Sequence, residues 1–175
     1  MDLSGYKGIN FTMEFNIVGT EGGIYRISIS DGDKLEIKAG KIYGAMLSIE
    51  MSDKVFMDGL SGKIPEFPME DFLANPQLLV TSLPPEEAKQ RINDLKGIKG
   101  MIEVEAQRGD GDEVIGIRVK FDGVDAPSCK LIGDIDNLMA MMKGEMNPVR
   151  GFMSGKYKIE GYLSFALELQ RLMPL

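Results

Sequence analysis

The chain has no histidine, no tryptophan and one cysteine, Cys129. Without histidine the commonest general base and metal ligand is gone. A lone cysteine excludes an internal disulfide, which fits a reducing compartment. With no histidine to activate its thiol, Cys129 reads as a small core residue. No apolar run approaches the roughly 20 residues of a membrane-spanning helix. The opening MDLSGYKGIN carries neither the basic nor the apolar region of a secretion signal. Asp2 in second place excludes N-myristoylation. In that setting the glycosylation pattern at Asn10 is chance. Together these features predict a cytoplasmic protein.

Clustered basic charge is lacking too. The net charge is −7, and lysine and arginine are scattered. That argues against nucleic acid as a partner and against electrostatic attachment to anionic membranes. GTEGG and GDGDE are rich in glycine, but neither lies between a strand and a helix, so both read as turns. GDGDE lacks the ligand spacing of a calcium loop, and the tripeptide from Arg108 to Asp110 reads as hairpin turn rather than adhesion signal. Carboxylates are plentiful, yet no spacing selects a catalytic pair. No catalytic residue, metal or cofactor is therefore assigned.

What is present is an ordinary globular composition: 175 residues, 43% apolar and 27% charged, with 13 methionines. Alternating apolar residues predict strands around Phe11–Ile17, Tyr25–Ile29, Leu35–Ile37 and Ala45–Met51. Asp31-Gly32 supplies a hairpin turn. Ser52 caps a helix carrying Val55, Phe56 and Leu60. Prolines at 65, 68 and 76 bracket a short helix around Met69–Ala74 in a linker or cover segment. Pro85, the acidic pair Glu86 and Glu87, and Gly97 delimit the clearest helix. Strands follow around Ile102–Ala106, Ile115–Phe121 and Lys130–Ile132. Ile135, Leu138, Met139 and Met142 then predict a helical stripe, with Met141 pointing elsewhere. A strand over Tyr157–Gly161 precedes a terminal helix, Tyr162–Met173.

The order strand, then strand–Asp-Gly–strand, then helix, then glycine followed by Lys or Glu and by Ile or Met, occurs twice. SGKI at Ser61–Ile64 answers KGEM at Lys143–Met146, and Asp31-Gly32 answers Asp122-Gly123. The pattern reads as a degenerate tandem repeat with a shorter Asp-Gly-to-helix spacing in its second copy. The methionine-rich stretch from Leu138 to Met153 suits ordinary core, or the wall of an adaptable apolar cavity. Leu163 and Leu167 lie off the terminal helix's main stripe of Phe165, Leu169, Leu172 and Met173. An element apolar on two faces needs two apolar neighbours. One is the sheet; the other is a lipid or a second copy of the chain.

MMKGEMNP, GFMSGKYKIEGY and LSFALELQRL resemble the closing segment of the sterol carrier protein 2 (SCP-2) family. The matched positions include Gly144, Asn147, Pro148, Phe152, Gly155, Lys156, Lys158, Ile159, Gly161, Ala166 and Leu169. LSIEMSDKVFMDGLSGKI is similar to the family's third strand and following helix, through Met51, Ser52, Asp53, Phe56, Leu60, Gly62 and Lys63. The first copy lacks a closing strand and helix of its own. The resemblance implies an α/β (α+β) fold, a mixed curved sheet with helices packed on one face. It implies a partial repeat over residues 1–84 and a fuller one over 85–175. It also implies a non-catalytic protein that holds a fatty acid, acyl-CoA, sterol or phospholipid in an apolar tunnel and passes it between membranes by transient contact. The residues expected at that tunnel are Leu138, Met139, Met142, Phe152, Met153, Leu163, Phe165, Ala166, Leu167, Leu169 and Met173. Two other readings stand beside this one: an interaction module, including a homodimer, using the same helix face, and an enzyme using carboxylates.

Overall fold

A computed structural model describes residues 4–32, 34–41, 43–64, 82–109 and 113–169. A 3-10 turn, Ser4–Tyr6, leads into β1 (Phe11–Val18), β2 (Gly23–Ser30), β3 (Lys34–Ala39), β4 (Leu47–Ser52) and helix α1 (Asp53–Leu60). After α2 (Pro85–Gly97) come β5 (Gly100–Arg108), β6 (Glu113–Phe121), β7 (Ser128–Asp134) and α3 (Ile135–Met142). Then follow α4 (Pro148–Met153), β8 (Tyr157–Gly161) and α5 (Leu163–Glu168). Every expected strand forms. Helix α4 and the 3-10 turn have no counterpart in the sequence reading. The expected helix at Met69–Ala74, and Leu172 and Met173, lie outside the described residues.

All eight strands join one mixed sheet in the order β3-β2-β1-β4-β6-β5-β7-β8. β1 runs parallel to β4, and β5 parallel to β7; the other neighbours are antiparallel. In-register partners give the sheet two unlike faces. One rung reads Ile17, Met51, Ile117, Val104, Leu131 and Ile159, all apolar. An adjoining rung reads Asn16, Glu50, Arg118, Glu103, Lys130 and Glu160. On the polar face Arg118 pairs with Glu50 and with Glu103, and Lys130 pairs with Glu103 and Glu105. Such half-exposed pairs contribute little each, but they make the polar face costly to bury. The period of two therefore decides which side carries helices. Ala88 and Ile92 of α2, Val55 of α1, Leu138 and Met141 of α3 and Phe165 of α5 join the apolar face in one core.

The two halves of the sheet share a strand plan. In the first, β1 pairs antiparallel with β2 and parallel with β4, which leads into α1. In the second, β5 pairs antiparallel with β6 and parallel with β7, which leads into α3. Both helices end alike. The N–H groups of Lys63 and Ile64 donate to Asp58 O at 2.9 and 3.2 Å; those of Glu145 and Met146 donate to Ala140 O at 2.9 and 3.1 Å. Gly62 and Gly144 make this possible with φ of 70° and 74°, where a side chain would be strained. Asp31-Gly32 and Asp122-Gly123 likewise have positive φ throughout. The halves differ at their edges. The outer edge of β2 takes β3, whereas the equivalent edge of β6 takes β4. A counterpart of β3 has no free edge in the second half, which accounts for the shorter spacing after Asp122-Gly123.

Candidate functional site: an apolar cavity with two lobes

Short helices cover the β5-β7-β8 end of the apolar face. Asn147 starts α4: its side chain accepts the Arg150 N–H at 3.1 Å, and Pro148 takes the first helical position. Gly151 lays the helix flat on β8, since a Cβ there would stand 2.7 Å from the Tyr157 ring. The Tyr157 hydroxyl donates to Pro148 O, tying α4 to the strand. α5 is pinned by Phe165, which is buried and meets Phe121 edge to face at 6.2 Å between ring centroids. Phe165 seats over Gly100, where a Cβ would approach its ring to 2.7 Å.

Between these helices and the sheet lies a cavity of about 270 Å³. Ile102, Leu131, Tyr157 and Ile159 form its floor, and Met141 closes its inner end. Val149, Phe152 and Met153 of α4 face Leu163, Ala166 and Leu167 of α5 across its mouth. Met153 is 80% exposed, and Leu163 and Leu167 are each 44% exposed, so the rim is open to solvent. A second lobe of about 240 Å³ lies beside it under α3, against Val104, Val119 and Phe121. The two lobes share Ile102, Leu131, Met141 and Leu169. Among the described residues no charged side chain lines either lobe, and the one lining hydroxyl, that of Tyr157, is already engaged. Water in such a space has few partners, so an apolar occupant is favoured.

The expected site residues divide accordingly. Phe152, Met153, Leu163, Ala166 and Leu167 meet at the first lobe, Leu138 and Met142 at the second, and Leu169 at both. Met139 packs against the core and Phe165 lies within it; neither lines a lobe. Met173 is outside the described residues. The stripe expected on α3 needs correction. Met141 is buried with Ile135 and Leu138, while Met142 is 52% exposed. Spacings of three carry the buried line along this two-turn helix, and Met142 sits one residue, about 100°, further round. The strand residues of the floor were missed as site residues. Their alternation showed a buried face, but not which part of it would lie beneath a cavity.

Burial pushes the Cys129 thiol up to about 11, away from the reactive thiolate. Among the described residues no group of histidine, cysteine and carboxylate side chains could hold a metal ion.

The sequence pattern of the SCP-2 sterol transfer family matches residues 80–174, more than half of the chain. The chain belongs to the SCP-2 sterol transfer family. The matched region contains both lobes of the cavity, from β5 to α5. Two solved SCP-2 structures are similar. Sterol carrier protein 2 from Yarrowia lipolytica, in its apo form, is 19% identical, with a TM-score of 0.41 over 59% of this chain and 92% of that one. The sterol carrier protein domain 2 of Helicoverpa armigera is 20% identical, with a TM-score of 0.35 over 46% and 70%. No curated protein matches the chain.

Proposed function

We propose that this protein binds an apolar lipid in the two-lobed cavity and exchanges it through the mouth between α4 and α5. The observation that carries this reading is a cavity with no charged lining among the described residues, open on one side, inside the region that matches a sterol transfer family. Each CH₂ buried there contributes roughly 0.8 kcal/mol. A chain of ten carbons can thus be held without one polar contact, and selectivity among fatty acid, acyl-CoA, sterol and phospholipid tails is correspondingly low. The exposed Val149, Phe152, Met153, Tyr162 and Leu163 around the mouth suit transient contact with a membrane surface. No helix among the described residues is long and apolar enough to cross one. The role is non-catalytic, and the site in a cytoplasmic setting is Leu138, Met142, Phe152, Met153, Leu163, Ala166, Leu167 and Leu169, joined by Met141.

The two halves, 1–84 and 85–175, are read as related repeats. Their matching strand plan and helix endings support this. On that reading β6 lies beside β4 where β8 lies beside β7, and so serves the first half as its closing strand.

The test is lipid binding by a Leu163→Glu/Leu167→Glu variant. Both side chains are half exposed, so the fold is expected to survive; Phe165→Glu would instead bury a charge in the core. Native mass spectrometry with a fatty acid should show a stoichiometric adduct in the parent protein. The variant should bind at least about tenfold more weakly, a loss of about 1.4 kcal/mol. Equal binding by both removes the site. No adduct in the parent, together with concentration-dependent self-association, would reassign the same rim to protein contact.

A further inference from the structure

The first half has a cavity of its own. It measures about 240 Å³ and lies between α1 and the apolar face of β1, β2 and β3. Its place in the strand plan matches that of the second lobe. The helix caps Ser52 and Asp134 stand opposite Val18 and Gln107 in the two parallel pairs. Counting back three residues along each inner strand gives Phe15 and Val104. The cross-strand partners of Met13 and Ile102 are Ile27 and Val119. Four residues beyond each cap come Phe56 and Leu138. Phe15, Ile27 and Phe56 line the first-half cavity; Val104, Val119 and Leu138 line the second lobe. Yet the first-half cavity lies outside the stretch matched to the family.

Its lining also differs in charge. Glu21 and Asp53 both line it; the Asp53 carboxylate accepts the backbone N–H of Lys54 at 2.7 Å and that of Glu21 at 3.5 Å, which leaves its charge uncompensated by any cation among the described residues of the cavity wall. No lysine or arginine lines it among the described residues. Neighbouring Lys54 is engaged by Asp58 at 2.8 Å and by Glu113 at 3.0 Å. Tyr25, Ile37 and Met57 are about half exposed, which leaves the cavity open to solvent.

We propose that the first half carries a second binding site, lined by Phe15, Ile17, Ile27, Phe56 and Met57, that takes an amphipathic cation, with its ammonium on Glu21 and Asp53. The apolar wall holds the chain, and the carboxylates select the head by charge. Among the described residues the lobes of the other half have no such groups, so the two sites differ in preference.

Protein labelled with ¹³C at the methionine methyls separates the two sites, because Met57 lines one and Met153 the other. Decylamine and decanoate are the probes, equal in chain and opposite in charge. Decylamine should shift the Met57 signal saturably, and decanoate should do so at least about tenfold more weakly, the worth of one charge-assisted hydrogen bond. Glu21→Gln/Asp53→Asn should weaken the decylamine response of Met57 by a similar factor and leave Met153 unchanged. Ile37→Lys, at a half-exposed position on the cavity wall, should abolish it without touching the helix start. A Met57 signal unmoved by decylamine, or equally moved by both probes, overturns the proposal. So does a titration unaltered in both variants. Failure of Met153 to respond would count only against lipid binding in the other half.

Discussion

Asp58 is a carboxylate on the buried side of α1, beside Val55 and Gly59, and two lysines make its burial tolerable. Lys54 donates to it at 2.8 Å and Lys63 at 3.0 Å. The hydrogen bond from Lys54, then that from Lys63, holds its carboxyl below the ordinary value of 3.8. The folded protein thus binds this proton less readily than the unfolded chain. The resulting stability is complete above that ordinary value and is lost as pH falls through the lower folded one. Asp58→Asn should therefore lower the melting temperature at neutral pH, and the gap should close in acid. A gap of equal size at both extremes would mean that packing, not charge, is what Asn disturbs. The i,i+4 spacing of Lys54 and Asp58 is legible in the sequence, but neither the burial of Asp58 nor its second partner, Lys63 beyond the helix end, is. Met141 was hidden for a different reason: methionines on every side of a two-turn helix leave the period too little length to choose among them.

Among the elements, α4 shows how a helix can be present in the sequence and still be overlooked. Its six residues are too few to display a period. Its cap and its proline were legible, and Asn147 and Pro148 were noticed only as part of a resemblance. The cap now has a measurable weight. Asn147→Ala should cost about 1 kcal/mol and lower the melting temperature by about 2–4 °C. Asn147→Asp, which can still accept the Arg150 N–H, should recover most of it. Because α4 carries one side of the cavity mouth, the alanine variant should also release bound lipid faster. Unchanged melting would show that α4 is held by Tyr157 and Gly151 rather than by its cap. The strands were easier to read, since most of them alternate plainly and the Asp-Gly pairs mark turns, Asp31-Gly32 between the paired strands β2 and β3 and Asp122-Gly123 at the end of β6. What alternation withheld was the stretch of apolar face left uncovered enough to be a cavity floor.

At the scale of the whole molecule, the junction between β4 and β6 decides whether the halves are separable. Leu47 pairs with Phe121 and Met51 with Ile117, so the sheet runs unbroken from one half to the other. α2 reinforces the link: the Tyr6 hydroxyl donates to Leu83 O at 2.7 Å, and Gly5 packs against Pro85. A fragment spanning residues 82–175 contains nearly all of the family-matched region, but it would bare the edge of β6. Expressed alone, it should aggregate or give a poorly dispersed amide spectrum, and adding residues 1–64 should restore dispersion. A sharp spectrum from the fragment by itself would make the halves independent domains. Strand order was the least legible property of the chain, since alternation fixes a strand's face and says nothing of its neighbour. The same junction bears on how the protein is made. β4 is complete by residue 52, whereas β6 ends at Phe121, so about 70 further residues must be synthesised first. At roughly 5–20 residues per second the growing chain spends several seconds with four strands ready and the edge of β4 unpaired. During that interval its apolar face and open edge offer themselves to any passing strand, and this nascent state is where chaperone attendance would matter most.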